Sequence, residues 1–161
     1  MSSSHTRLLA ILPELSEWNE GKGMAPEGWL GAYGSVPSAL MYSSLFWPEF
    51  VEFEGCLLWH DATPDLFFQW MTTLGGNRTA VEGVMNHVHI TDVFLNAPEV
   101  PTDEQVDYLG HLLKDMWSLK LRRDFPHLDV QVDFRWDDPE ASDTAQITVY
   151  CLRKDPLADT P

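Results

Sequence analysis

Hydrophobic and polar positions along this chain repeat with two periods, and each change of period marks an element. Leu8, Leu9, Leu12, Leu15 and Trp18 recur at helical spacing, which predicts a helix over residues 6–18. Pro13 lies inside that pattern and is placed to split it. Residues 19–37 hold Gly21, Gly23, Gly28, Gly31 and Gly34 and read as an irregular stretch with Trp29 and Tyr33 embedded in it. A short helix follows from Pro37 and stops before Pro48, because a residue preceding proline is pushed out of the α region. Residues 50–53 and 56–60 then flank Glu54-Gly55, the pattern of a β-hairpin with a two-residue turn.

Thr63-Pro64-Asp65 opens the next helix, with an N-cap hydroxyl, proline at the first helical position and a carboxylate at the positive helix end. Its apolar face is Leu66, Phe67, Trp70, Met71 and Leu74, and Gly75-Gly76 ends it. A short helix over 78–86 leads to a strand expected over 87–95. The best-specified helix spans 103–123: Thr102 and Gln105 have capping-box spacing, and Val106, Leu109, Leu113, Met116, Trp117 and Lys120 follow the core-facing period. Beyond it, Leu128, Val130, Val132, Phe134 and Trp136 alternate with Asp129, Gln131, Asp133, Arg135 and Asp137, a half-buried strand. A last strand is expected over 146–153.

Strands arrive as hairpins and helices as intervening blocks, so the expected fold class is α+β. The expected architecture is an antiparallel sheet of about four to five strands with helices packed mainly on one face. A mixed-sheet α/β layout is the alternative. Neither repeats nor low-complexity tracts divide the chain, and a single domain over 1–155 with a flexible tail over 156–161 is expected.

Composition narrows the choice of partner. The chain has 161 residues, 44% of them apolar, enough for a core without a disulfide or metal staple. Ten Lys and Arg against twenty-five Asp and Glu give a net charge of −15. That balance argues against nucleic acid, whose phosphates need basic residues, and against an anionic membrane face. The apolar start, Leu8 to Leu12, is shorter than a secretory core and follows one Arg. The only cysteines, Cys56 and Cys151, are far apart and form no ligand or redox spacing. A cytoplasmic protein with two buried thiols is expected, with no cofactor.

No segment identifies a reaction. His87 and His89 share one face of a strand and are a candidate metal pair, but Asp92 falls on the other parity and a third ligand must come from elsewhere. The glycines at 28, 31 and 34 match neither a dinucleotide fingerprint nor a Walker loop. Cys56 and His60 are out of hydrogen-bond reach of each other along a strand. Two features stand above this background. Residues 42–70 carry nine of the nineteen aromatics, either core or partly exposed anchors. Residues 124–143 carry seven acids and one base, Arg135.

Two function classes follow. The first is a small acidic, bacterial-type binding or inhibitor protein that engages a basic protein. Its sharpest form is an immunity protein against a cationic toxin, a likeness of size, acidity and aromatic content alone. Asp129, Asp133, Asp137, Asp138, Glu140 and Asp143 would steer the partner, with Trp29 and Trp47 as aromatic anchors. The second is a small-ligand-binding protein or hydrolase, with a pocket between residues 21–34 and the hairpin 50–60 and with histidines, Glu49 or Glu52 as working groups. Self-association through exposed aromatics is a third course. An enzyme is the less favoured of these.

Overall fold

The computed structural model describes residues 4–97, 99–137 and 144–153. The chain divides into two compact units, residues 1–44 and 45–161. The expected tail over 156–161 lies outside the described residues.

In the first unit Pro13 splits the first helical pattern as anticipated: α1 is Ser4–Ile11 and α2 is Pro13–Gly21, with Leu12 non-helical between them. Leu15 is buried. The stretch read as irregular instead contains a third helix, α3 (Pro26–Tyr33). Proline at its first position pre-sets the helical φ, which outweighs two internal glycines. Trp29 and Tyr33 lie one turn apart on α3, and both rings meet Trp18, with centroids 5.8 and 5.5 Å away. α4 (Val36–Phe46) carries the chain into the second unit.

The second unit holds the five strands found among the described residues. β1 (Phe50–Phe53) and β2 (Cys56–Trp59) form the expected hairpin. Glu54 and Gly55 both take positive φ, +49° and +75°, the two-residue turn that matches strand twist. α5 (Pro64–Thr73) and α6 (Arg78–Met85) follow. β3 is only His87–His89, because the chain turns into a 3₁₀ segment over Thr91–Phe94 where a longer strand was expected. α7 (Asp103–Asp124) starts in a complete capping box between Thr102 and Gln105. β4 (Val130–Trp136) and β5 (Ala145–Cys151) close the fold.

The fold is mixed helix and strand with antiparallel pairing throughout, but the strands form two sheets rather than one. β1 pairs with β2, and the order of the other three is β3-β5-β4. Two wholly buried polar side chains occupy the gap. Asn86 donates from Nδ2 to the carbonyls of Leu57 (2.7 Å) and Val149 (3.1 Å), and its Oδ1 accepts from the Trp59 amide. Glu82 accepts from the amides of Leu57 (2.7 Å) and Cys151 (2.8 Å). The facing backbone groups of β2 and β5 are thus satisfied by the side chains of Glu82 in α6 and Asn86 just after it instead of by each other, which is what buried backbone groups require. Arg153 completes this joint, donating to both oxygens of Glu82 at 2.7 Å and to the Gly55 carbonyl at 2.8 Å.

α7 covers one face of the three-stranded sheet. Val106, Leu113, Trp117 and Leu121 pack with Val132, Ile147 and Val149 in the main core. Gly110 permits this approach, because a Cβ there would run into the Phe134 ring. β2 is buried on both sides: Leu57 belongs to the main core, while Cys56 and Leu58 join Phe67 and Val81 in a smaller one under α5 and α6. Much of the aromatic-rich segment is therefore core. Phe50 stacks on Trp59 with centroids 4.7 Å apart, Trp117 meets both rings edge-on at 6.4 and 5.3 Å, and Trp117 Nε1 donates to the Leu45 carbonyl.

Candidate functional site

The alternation in β4 places Val130, Val132, Phe134 and Trp136 toward α7 and Gln131, Asp133 and Arg135 on the opposite face. Register fixes what meets them there. Asp133 pairs with Thr148, and Arg135 pairs with Gln146. On the other side of β5, His87 pairs with Thr148 and His89 with Gln146. One face of a single sheet therefore gathers residues from three strands, all polar. Thr79, Gly83 and Val84 of α6 border the same surface and convert it into a cleft of about 490 Å³. That is within the roughly 300–1,000 Å³ of small-ligand sites.

Hydrogen bonds organise the cleft. Tyr150 reaches diagonally across the ladder and donates its hydroxyl to Asp133 Oδ2 at 2.6 Å. That bond, then burial, pushes the Tyr150 hydroxyl above its ordinary range, so it stays a donor. Asp137 accepts from Arg135 Nε at 3.1 Å and from Gln146 Nε2 at 2.5 Å. Asp129 accepts from Gln131 at 2.9 Å. The three aspartates of the β4 row do share a face, as the alternation implies. They are interleaved with donors rather than left as bare like charges, and Asp133 alone of the three lines the cleft.

The other candidates lie elsewhere or outside the described residues. Asp138, Glu140 and Asp143 fall outside them. Trp29 is half-buried in the first unit, its ring centroid 4.5 Å from that of Tyr33. Trp47 is exposed in the second unit, with the Arg123 guanidinium 5.0 Å above its ring and Lys120 6.0 Å away. Those cations belong to α7, which covers the other face of the sheet, so Trp47 does not join the acidic row. Lys120 and Arg123 both bond Asp124 and hold its carboxyl below the usual range.

His87 and His89 are brought side by side, ring centroids 5.6 Å apart and nearly perpendicular. His87 Nδ1 lies 2.6 Å from the Val84 carbonyl. A carbonyl only accepts, so Nδ1 carries the proton. Among the described residues no three His, Cys, Asp or Glu side chains are arranged to hold a metal ion. Cys56 and Cys151 are free and buried. Burial, followed by the nearby Glu82 carboxylate, raises both thiols, that of Cys151 to about 12. They are therefore thiols rather than nucleophilic thiolates at neutral pH. Of the groups considered near the hairpin, Glu52 pairs with His127 at 2.8 Å on the surface.

The cleft residues absent from the sequence reading are Thr79, Gln146, Thr148 and Tyr150. The alternation Gln146-Ile147-Thr148-Val149-Tyr150 carried the signal, since it puts three hydrogen-bonding side chains on one face of β5. Register with Asp133 then follows only from the pairing.

No protein family, no curated protein and no solved structure matches this chain. Among the described residues no helix is long and apolar enough to cross a membrane.

Proposed function

We propose that this chain is a binding protein, without catalytic activity, that engages a basic protein partner through the open face of its three-stranded sheet. The observation that carries the reading is the row Asp129, Asp133 and Asp137 on a strand face that α7 leaves uncovered. Carboxylates displayed on a rigid strand steer a cationic surface at encounter and then fix its register. The surrounding charge works in the same direction: residues 45–161 hold twenty-one acids and eight bases, a net −13 of the total −15. With both cysteines free and buried, the reading places the protein in the cytoplasm. A cationic toxin held inactive by this face is the sharpest form of the partner.

The test is the association of an oligo-arginine peptide, followed by stopped flow at about 0.05 M and about 0.5 M salt, where screening lengths differ severalfold. Replacing Asp129, Asp133 and Asp137 together by Asn is expected to slow association about tenfold at low salt. Replacing Glu14, Glu17 and Glu20 by Gln removes the same charge from the first unit and is expected to change it less than about twofold. Equal effects of the two triples, or a rate indifferent to salt, would overturn the reading.

A further inference from the structure

Several hydrogen-bond acceptors of the cleft are used by no described residue. Tyr150 occupies Asp133 Oδ2, while Oδ1 accepts nothing among the described residues. Gln146 spends one amide N–H on Asp137, and its carbonyl oxygen accepts nothing among the described residues. Because His87 Nδ1 donates to the Val84 carbonyl, the neutral ring presents Nε2 as a lone pair. Thr148, directly opposite Asp133 and also paired with His87, adds a hydroxyl that makes no bond among the described residues. Four groups from three strands thus offer lone pairs toward one cleft.

Charge agrees with this inventory. Arg135 also lines the cleft; Asp137 holds its Nε and balances its charge, and its terminal N–H groups are the donors on that side. Asp133 has no cationic partner among the described residues, so the carboxylate charge at the cleft is uncompensated. Unspent acceptors grouped around this one carboxylate match a cation rich in N–H donors. An alkyl guanidinium offers five such donors in one plane and never loses its charge. A primary ammonium offers three from a point and can engage fewer dispersed acceptors.

We propose that this cleft is a receptor for an alkyl guanidinium, and that in the complex it holds an arginine side chain of the partner. The second clause rests on the basic-partner reading above; the first does not. Asp133 supplies the charge-assisted bond, with Tyr150 orienting its carboxylate from the second oxygen. Gln146, Thr148 and His87 take the remaining N–H groups, and the Val84 side of α6 accommodates the methylene stem.

The experiment titrates N-acetyl-arginine amide into the isotope-labelled full chain and follows backbone amide resonances. Saturable shifts confined to residues 87, 133–135 and 146–150 are expected, with N-acetyl-citrulline amide, the neutral isostere, producing none. Asp133→Asn preserves an acceptor for Tyr150 and should weaken binding at least about tenfold. Thr148→Val should weaken it by about threefold, and Glu17→Gln, which removes the same unit of charge elsewhere, should leave it unchanged. Each variant's spectrum reports whether it is folded. Equal binding of the citrulline derivative, shifts centred away from the cleft, or a folded Asp133→Asn variant that binds like wild type would overturn the assignment. The two readings separate cleanly. If oligo-arginine binds in a salt-dependent way while the single residue leaves the cleft unmoved, the cleft assignment falls and the basic-partner reading stands. If the single residue occupies the cleft but the peptide binds no more tightly, the partner reading falls and the receptor remains.

Discussion

The two faces of the three-stranded sheet are made by the same strands and obey opposite rules. On the covered face, Val132, Ile147 and Val149 are at most 6% exposed and their side chains join Trp117 of α7 in the main core. On the open face, one residue away along each strand, every ladder position of β5 is a hydrogen-bonding side chain. Because strand periodicity is two, a single alternation in sequence separates what holds the fold from what is free to bind. The covered face should therefore be sensitive in stability and silent in binding, and the open face the reverse.

The strongest way to break that contrast is Trp117→Ala. It empties the centre of the covered face and removes the bond to the Leu45 carbonyl, and should cost about 3–5 kcal/mol in urea unfolding. A loss under about 1 kcal/mol would mean that α7 is not the element sealing this face. Next comes Gly110→Ala, where the added methyl meets the Phe134 ring. Overpacking there should cost about 1–3 kcal/mol and lower Tm without altering guanidinium binding.

Alkaline pH probes the same interior. Cys151, on the covered face, has its folded pKa raised above 9.0, to about 12. Between those values the unfolded thiol loses its proton while the folded one keeps it, so stability falls as pH rises, by up to about 1.4 kcal/mol per pH unit. Cys151→Ala should flatten that slope, and a slope unchanged in the variant would show that the thiol is not buried as described. The smallest effect belongs to the open face. Tyr150→Phe removes the donor to Asp133 and should cost about 1 kcal/mol or less. A destabilisation as large as that of Trp117→Ala would show that the cleft is structural rather than a surface left free for a ligand.

Local rules carried much of this architecture. The hairpin turn at Glu54-Gly55, the break at Pro13, the capping box at Thr102 and the alternation from Val130 to Trp136 can all be read from neighbours in sequence, because their causes are local. The misses have mixed causes. α3 forms in a glycine-rich stretch from a local signal, Pro26 at its first position, and Trp29 and Tyr33 then pack on Trp18. β3 stops after three residues where the chain turns into the 3₁₀ segment Thr91–Phe94. A single sheet was the simpler expectation, and nothing in the order of residues announces that Glu82 and Asn86 take the place of strand pairing between β2 and β5. For the site, the aspartate row was legible as a row. The choice of Asp133 among its members was not, since that depends on Tyr150 and Thr148 arriving from β5, with His87 opposite from β3.

The most direct measurement is a residue-resolved titration of the full chain with an oligo-arginine peptide, read from amide shifts on both faces at once. The account predicts the largest changes at residues 131, 133, 135, 148 and 150, with α7 unmoved. Changes centred on α7, or spread evenly over acidic residues of both units, would contradict it.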